Sequence, residues 1–278
     1  MRAAAVQTTA TDDRDVNLAA AGTLVEQAAG AGAELVVLPE YFSVAGSPRL
    51  LRERAEPLGG PTTAWAASLA DRLGIWLVAG SFPEAAGPGR VHNTSCLLGP
   101  DGSTVAVYRK IHLFDVTVDG AASRESDAVA PGDRLVAAPL PGTVPPVVVG
   151  LSICYDLRFP EVYRGLALGG ATVAAVPSAF TAVTGPPHWE LLLRARAVED
   201  GLFVIGAGQV GALPPGMPAC HGHSMIVDPW GTVVAERRDP TPGIVVADLD
   251  AGLQERVRRQ VPVLANRRPE TYRGPCGN

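Results

Sequence analysis

Residues 147–161, VVVGLSICYDLRFPE, decide the fold prediction. They begin with an apolar run rich in β-branched side chains, which is typical of a strand buried on both faces. Pro160 suits the first turn of a helix. Cys154 therefore lies where a buried strand ends and a helix is about to begin, the position at which α/β sheets present ligand-binding side chains and nucleophiles. The alternative is that Cys154 is a small core residue, as most free cysteines are.

Two more predicted strands end in a charged residue. The run ELVVL at 34–38 is followed by Glu40, and the β-rich run at 104–109 is followed by Lys110. A charge at the end of a buried strand is costly unless it is exposed, paired or used. Lys110 is the only lysine among 23 lysine and arginine residues, and burial can tune the pKa of an ammonium. The alternatives are a solvated loop for Glu40 and compositional bias for Lys110.

Composition narrows the class of protein. The 278 residues are 47% hydrophobic and 18% charged, which allows a large core in one domain over residues 1–278, with 261–278 expected as an extended tail. A net charge of −5 without a basic cluster argues against nucleic acid as a partner. No signal peptide or membrane span is expected. Four widely separated cysteines argue against a metal site and favour a reduced, cytoplasmic protein; they are Cys96, Cys154, Cys220 and Cys276.

Both hairpin and strand–helix–strand patterns occur along the chain. The turn GPDG at 99–102 separates two β-rich runs, which indicates a hairpin. Residues 114–133 lack periodicity and are predicted to be a long loop, whereas 188–200 form a predicted helix in which His188 caps or packs. The patterns predict about ten to twelve strands and four to six helices. A mixed α/β fold, with two mixed β-sheets and the helices outside, accommodates both kinds of connection.

Glu40, Lys110 and Cys154 together could carry out covalent acyl transfer. A thiolate attacks a carbonyl-like carbon, and a carboxylate takes the thiol proton and later activates water. An ammonium stabilises the oxyanion and lowers the thiol pKa. A second carboxylate, such as Glu125 in the predicted long loop, could hold the lysine, although it could equally be solvated. The sequence has no GxSxG elbow and no histidine placed by sequence to pair with Cys154.

Five motifs give the chain a resemblance to the nitrilase, or carbon–nitrogen hydrolase, superfamily, over residues 5–246. They are LPEYF at 38–42, YRKIHLFD at 108–115, SICYDLRFPE at 152–161, HWELLLRARAVEDG at 188–201 and HSMIVDPWG at 223–231. The resemblance implies a four-layer αββα sandwich that dimerises through its helices. It also implies a cofactor-free, metal-free enzyme with a Glu–Lys–Cys triad at Glu40, Lys110 and Cys154. Glu125 matches the additional family glutamate, and the backbone N–H of Tyr155 would join Lys110 in the oxyanion hole.

Within the superfamily, KIHLFD, CYDLRFPE and TGPPHWE are most similar to the branch of ω-amidase and deaminated-glutathione amidase. This similarity implies hydrolysis of the terminal amide of a small carboxylate-bearing substrate, with ammonia released through a thioester. Arg158 would pair with the substrate carboxylate, and Phe180 would wall the same pocket. Alternatively, Arg158 is a structural partner of Asp156 or Glu161. The alternative functions are a nitrilase or N-carbamoyl amidase with the same triad, and a non-catalytic redox thiol or assembly protein.

Overall fold

The computed structural model describes residues 1–118 and 120–272, so Cys276 and the end of the predicted tail lie outside the described residues. The strands are β1 (Arg2–Gln7), β2 (Leu35–Val37), β3 (Trp76–Val78), β4 (Phe82–Ala85), β5 (Val91–Leu98), β6 (Thr104–Arg109), β7 (Asp115–Val118), β8 (Ala121–Arg124), β9 (Val136–Leu140), β10 (Val147–Leu151), β11 (Val173–Ser178), β12 (Phe203–Gly208), β13 (Val210–Gly211), β14 (Cys220–His221), β15 (Met225–Val227), β16 (Val233–Glu236) and β17 (Gly243–Asp248). The α-helices are α1 (Arg14–Gly30), α2 (Pro48–Glu53), α3 (Pro61–Leu73), α4 (Pro160–Leu168), α5 (Gly185–Asp200) and α6 (Ala251–Gln260).

Two mixed sheets form the centre of the fold. The first has the order β17-β1-β2-β3-β5-β4, with β6 also paired to β5. Its strands β1, β2 and β3 are parallel, and its other pairings are antiparallel. The second has the order β16-β15-β12-β11-β10-β9, with β10, β11 and β12 parallel. Parallel strands in each sheet explain why glutamate and cysteine emerge at similar strand ends.

The alternation of side chains along β1 shows how the layers are arranged. Ala3 and Ala5 belong to the core between the sheets, which also contains Leu151 of β10 and Ile205 of β12. The intervening Ala4 and Val6 belong to a second core, packed against α1 and α3. Helices α4 and α5 add side chains such as Leu166 and Trp189 to the other side of the second sheet. The predicted two-sheet core with outer helices, and the αββα sandwich implied by the resemblance, are both confirmed.

Local sequence explains where the helices begin and end. Pro61 and Pro160 each open a helix, because proline has the required φ and lacks an N–H that would go unpaired there. Helix α1 begins after Asp13, whose carboxylate accepts the N–H groups of Asp15 and Val16. Helix α3 ends at Gly74, whose φ of 64° is in the left-handed region. Among the described residues, no helix has both the length and the apolar character needed to cross a membrane.

Two local predictions are wrong. The predicted loop at 114–133 contains the antiparallel hairpin β7–β8 and a 3-10 turn at Glu125–Asp127. The strand count was too low because several strands are only two or three residues long, including β13 and β14. The extended tail over 261–278 stays a prediction; of its described residues, Leu264 packs against the main core.

Candidate active site

Three residues from separate strand ends meet around one cavity of about 360 Å³. Glu40 follows β2, Lys110 follows β6 and Cys154 follows β10, as the sequence predicted. Lys110 Nζ lies 2.9 Å from Glu40 Oε1. The exposed fractions of Glu40, Lys110 and Cys154 are 2%, 2% and 7%. The three groups are therefore enclosed by protein, yet all of them line the space in which a small molecule could bind.

Cys154 occupies a sharp turn between the end of β10 and helix α4. Its φ is 46°, in the left-handed region that a residue with a side chain rarely adopts. The chain continues as a 3-10 turn over Cys154–Arg158, and Pro160 then begins α4. The carboxylate of Asp156 closes this turn by accepting the Ile153 N–H at 2.9 Å. The predicted strand–turn–helix elbow is therefore present, and it directs Cys154 into the cavity.

Glu125 joins the same cluster from the hairpin side. Its Oε2 lies 2.8 Å from Lys110 Nζ, and it accepts the Phe114 N–H at 2.6 Å. Tyr41 Oη donates to Glu125 Oε1 at 3.2 Å. Burial acts to lower the pKa of Lys110, but the carboxylates of Glu125 and Glu40 raise it well above its ordinary value. Lys110 is therefore a permanent cation held between two carboxylates.

The thiol of Cys154 is neutral in this environment. Burial raises its pKa well above the ordinary value, the charge of Glu40 raises it further, and Lys110 acts in the opposite direction. A neutral thiol is a weak nucleophile, so attack requires a base that removes its proton. Glu40 contacts Cys154 and is the adjacent carboxylate. Its Oε2 accepts the Ala179 N–H at 2.8 Å, which fixes the carboxylate on the far side from Lys110.

Arg158 and Phe180 line the cavity together. The Arg158 guanidinium carbon lies 5.0 Å from the centre of the Phe180 ring and 5.9 Å from the centre of the Tyr155 ring. Arg158 Nη1 also lies 3.3 Å from His188 Nδ1. Asp156, one of the structural partners considered for Arg158, is bonded instead to Tyr108, Ile153 and His112. His188 lies inside α5, where it contacts Arg158 and does not cap the helix.

The polar residues that support the cluster are not evident from the sequence. Asn93, fully buried in the middle of β5, donates to Glu40 Oε1 at 2.9 Å and to Glu125 Oε1 at 3.3 Å. Its partners come from distant parts of the chain, so no local pattern points to it. Tyr41 directly follows Glu40, and Asp156 lies two residues after Cys154, so their positions in the sequence could have indicated both.

One group outside this cavity has the composition of a metal site. Ligand atoms of Glu190, His223 and Glu236 all lie within 4.8 Å of one another. Both carboxylates already pair with arginines, through Arg194 and Arg238. Because those guanidiniums would compete with a cation, this arrangement is accounted for by surface ion pairs. The described cysteines, Cys96, Cys154 and Cys220, are free thiols.

Comparison with known proteins places the chain in a family. The family model "Carbon-nitrogen hydrolase" matches residues 2–259. The chain is 42% identical over 275 residues to deaminated glutathione amidase of Bos taurus, covering 97% of this chain and 82% of that protein. It is 39% identical over 272 residues to Omega-amidase NIT2 of Danio rerio, covering 98% and 96%.

Solved structures agree with the sequence relatives. The C. elegans NitFhit protein superposes with a TM-score of 0.88 at 35% identity, covering 98% of this chain and 66% of that one. A glutamate-to-glutamine mutant of the amidase from Nesterenkonia sp. AN1, with acrylamide added to its active-site cysteine, gives 0.82 at 29% identity and covers 98% of both chains. This chain therefore belongs to the carbon–nitrogen hydrolase family of the nitrilase superfamily, and it is an amidase of that family.

Proposed function

We propose that this enzyme hydrolyses the terminal amide of a small, linear, carboxylate-bearing substrate and releases ammonia, as an amidase of the deaminated glutathione or ω-amidase type. The observation that carries the proposal is that Cys154, Glu40 and Lys110 share one cavity with Arg158. The first three supply a nucleophile, a base and a cation, and the fourth supplies a partner for a carboxylate. The relatives named above carry the same two activities in their names.

The reaction has two halves. Cys154 Sγ attacks the amide carbon while Glu40 accepts the thiol proton, and Lys110 and the Tyr155 N–H stabilise the oxyanion. Glu40 then gives that proton to the leaving nitrogen, so that the C–N bond breaks, ammonia departs and a thioester remains. In the second half Glu40 takes a proton from water, whose oxygen attacks the thioester. The acid product leaves, and the proton returns to the Cys154 sulfur.

Glu125 has a supporting role in this scheme. Both of its oxygens lie within hydrogen-bond distance of Lys110 Nζ, at 2.8 and 3.1 Å. A lysine held on two sides keeps its ammonium at one place in the cavity, and a preorganised cation stabilises a developing negative charge without reorganising. Glu125 therefore positions Lys110 and leaves Glu40 free for proton transfer.

Substrate selection rests on Arg158. The faces of Phe180 and Tyr155 hold the guanidinium, and a guanidinium fixed in one plane can bind a carboxylate through two parallel hydrogen bonds. Phe180 adds an apolar wall beside the carbon chain of the substrate. Among the described residues, Arg158 makes no ion pair with a carboxylate of the protein, so its charge is available to a ligand.

The assembly and location of the protein belong to the same proposal. We infer a single catalytic domain over residues 1–278 that forms a homodimer or a higher homo-oligomer, as the family resemblance implies. Apolar side chains exposed on α5 and on the turn between β15 and β16, including Leu191, Val198 and Trp230, support an interface there. A cytoplasmic location is supported by the free thiols of Cys96, Cys154 and Cys220.

A substrate panel with variants tests the proposal. The panel contains α-ketoglutaramate, deaminated glutathione, an N-carbamoyl amino acid, a simple nitrile and a neutral aliphatic amide, with ammonia release as the readout. Cys154→Ala and Glu40→Gln are expected to lower kcat by about 10³-fold or more while the fold is retained. Retained turnover in Cys154→Ala contradicts the mechanism, and preference for the nitrile or the carbamoyl compound contradicts the substrate class.

Arg158→Ala tests substrate selection separately. We expect kcat/KM for carboxylated amides to fall by about 10²-fold, the usual loss for a charge-assisted pair, with little change on the neutral amide. Arg238→Ala, an exposed arginine that pairs with Glu236, is the control for removing one positive charge. An equal loss on carboxylated and neutral amides would show that Arg158 is structural.

A further inference from the structure

We propose that Asn93 is a positioning residue that sets the protonation state and the geometry of the Glu40–Lys110–Glu125 cluster. The inference deepens the proposed function, because it assigns a role toward the residues that would carry the reaction. Three contacts join Asn93 to the three members of the cluster. Its side-chain amide donates to Glu40 Oε1 at 2.9 Å and to Glu125 Oε1 at 3.3 Å, and its backbone carbonyl accepts the Lys110 N–H at 2.9 Å.

The two carboxylate oxygens share a pair of donors. Glu40 Oε1 and Glu125 Oε1 each receive a hydrogen bond from Lys110 Nζ, at 2.9 and 3.1 Å, as well as from Asn93 Nδ2. Two carboxylates with one ammonium leave a net negative charge in a buried site. Such a site tends to take up a proton, because like charges at close range disfavour double ionisation. A proton on Glu40 would remove the base that the Cys154 thiol needs.

A neutral hydrogen-bond donor opposes proton uptake by the two carboxylates and leaves the net charge of the cluster unchanged. The two N–H groups of Asn93 stabilise both carboxylates without adding a second cation, which would compete with Lys110. Aspartate would add a third negative charge, and alanine would leave both oxygens with one donor fewer. Because Asn93 also holds the Lys110 backbone through β5–β6 pairing, one residue fixes the distance between the cation and its two partners.

The side-chain oxygen of Asn93, Oδ1, argues against a purely structural role. Asn93 is fully buried, and its Oδ1 has no hydrogen-bond partner among the described residues of the protein. Buried polar atoms are nearly always paired, so an unpaired one calls for a reason. Turning the amide over would aim Oδ1 at two carboxylates. The cluster therefore dictates the orientation, and the unpaired oxygen is the cost of directing both N–H groups at Glu40 and Glu125.

The titratable groups around the cluster come from several elements. Tyr41 and Cys154 contact it, from the chain after β2 and after β10. Cys220 of β14 lines the same cavity. The charged side chains of Arg124, Asp127 and Arg158 line it as well. Behind the cluster, Glu84 of β4 and Arg109 of β6 pair with each other through two hydrogen bonds of 2.6 and 2.7 Å. The direct hydrogen bonds of the Glu40 and Glu125 carboxylates come from Lys110, Asn93, Tyr41 and the backbone N–H groups of Phe114 and Ala179.

The experiment compares Asn93→Ala and Asn93→Asp with Asn17→Ala. Asn17 is a matched control because it is also buried and its amide bonds the backbone carbonyls of Thr11 and Ser43, with no contact to the cluster. For Asn93→Ala we expect kcat at pH 7 to fall by about 10²-fold with KM within about two-fold. The acidic limb of the pH–rate profile should move up by about one pH unit, because the cluster takes up a proton more readily.

Asn93→Asp keeps the shape of the side chain and gives a second, opposite signature. Above neutral pH the new carboxylate repels Glu40 and Glu125, so activity should fall below that of Asn93→Ala. Toward acidic pH the protonated acid can donate one hydrogen bond, so activity relative to Asn93→Ala should recover. An unchanged acidic limb in folded Asn93→Ala, or a loss matched by Asn17→Ala at equal thermal stability, would overturn the proposal.

A substrate-free measurement separates this inference from the proposed function. The pH dependence of Cys154 alkylation by iodoacetamide reports on the same cluster, since Glu40 and Lys110 both act on the thiol. Its midpoint should move in Asn93→Ala and stay in place in Asn17→Ala, even if no amide in the panel is a substrate. If the wild type turns over the panel but Asn93→Ala leaves this midpoint unchanged, the positioning role fails and the proposed function stands.

Discussion

Tyr108 donates a hydrogen bond of 2.6 Å to Asp156, and this bond ties the strand before Lys110 to the turn after Cys154. Both side chains are fully buried. Asp156 also accepts the backbone N–H groups of Ile153 at 2.9 Å and His112 at 3.0 Å. One carboxylate therefore holds the chain on both sides of the catalytic cluster, and the separation of Lys110 and Cys154 depends on a bond made outside the cavity.

Tyr108→Phe should weaken both stability and activity. The substitution keeps the ring but removes one donor from a buried carboxylate, so we expect the free energy of unfolding to fall by about 1–3 kcal/mol. We expect kcat to fall by about ten-fold because Lys110 and Cys154 lose a fixed separation. Urea denaturation and steady-state kinetics measure the two effects. Tyr163→Phe, which loses a neutral bond to Ser152, is the control and should affect stability more than kcat.

Glu40→Gln should separate turnover from thiol reactivity. The substitution removes the base, so ammonia release should disappear. It also removes a negative charge that raises the pKa of Cys154, so the pKa of the thiol should fall. Alkylation of Cys154 followed across pH should therefore have a lower midpoint in Glu40→Gln than in the wild type. A higher midpoint would mean that the charge of Glu40 does not act on the thiol.

Asp200→Asn should stabilise the protein at neutral pH. Burial raises the pKa of Asp200 to about 6, with Arg164 acting in the opposite direction. Arg164 Nε lies 3.1 Å from Oδ1, in a geometry that is not a hydrogen bond. Because the folded state binds this proton more tightly than the unfolded state, stability falls as pH rises from about 4 through about 6. The variant should remove that fall, which is worth about 3 kcal/mol.

Chemical denaturation at pH 4.5 and at pH 7.5 measures the effect of Asp200→Asn. The two proteins should be close in stability at the lower pH and differ at the higher one. Asp71→Asn is the control, because it removes an exposed carboxylate and should leave the free energy of unfolding unchanged at both pH values. Asp228→Asn is a poor control, because the Asp228 carboxylate caps a turn. A stability difference between Asp200→Asn and the wild type that does not grow from the lower to the higher pH would contradict the assignment.

His188→Ala should weaken carboxylate binding less than Arg158→Ala does. The imidazole contacts Arg158 Nη1 at 3.3 Å and so orients the guanidinium without contacting the cavity centre. We expect KM for carboxylated amides to rise by about five-fold and kcat to change little, because the stacking on Phe180 and Tyr155 remains. Kinetics on carboxylated and neutral amides make the comparison. A fall in kcat on both substrates would place His188 in the chemistry.

The strand-end residues could be predicted from sequence because their position is encoded locally. An apolar run followed by Glu40, Lys110 or Cys154 marks a buried strand and the group at its end. Glu40 and Cys154 follow parallel strands of different sheets, at the strand ends where α/β sheets present functional groups, whereas Lys110 follows the antiparallel strand β6. Their convergence in one cavity depends on how the two sheets pack together. The family resemblance implied this two-sheet packing, and the structure confirms it.

The residues that were missed have non-local partners. Asn93 lies in a polar run of β5, HNTS, which on pattern alone suggests an exposed strand, yet three of its four side chains are fully buried. The partners of Asn93 are more than 30 residues away along the chain for both side-chain bonds. The hairpin β7–β8 was missed for a different reason: its four-residue strands are too short for a reliable alternation.

The chain has one lysine, and it is buried in the cavity, so cleavage at that lysine reports on opening of the native fold. A lysine-specific protease has one cleavage point, after Lys110, and the native fold covers that residue with Glu40 and Glu125 on either side. Digestion can yield the fragments 1–110 and 111–278 only from molecules in which the cavity has come apart. The rate of cleavage after Lys110, with and without ligand, would therefore report how often the buried charged residues become exposed to solvent.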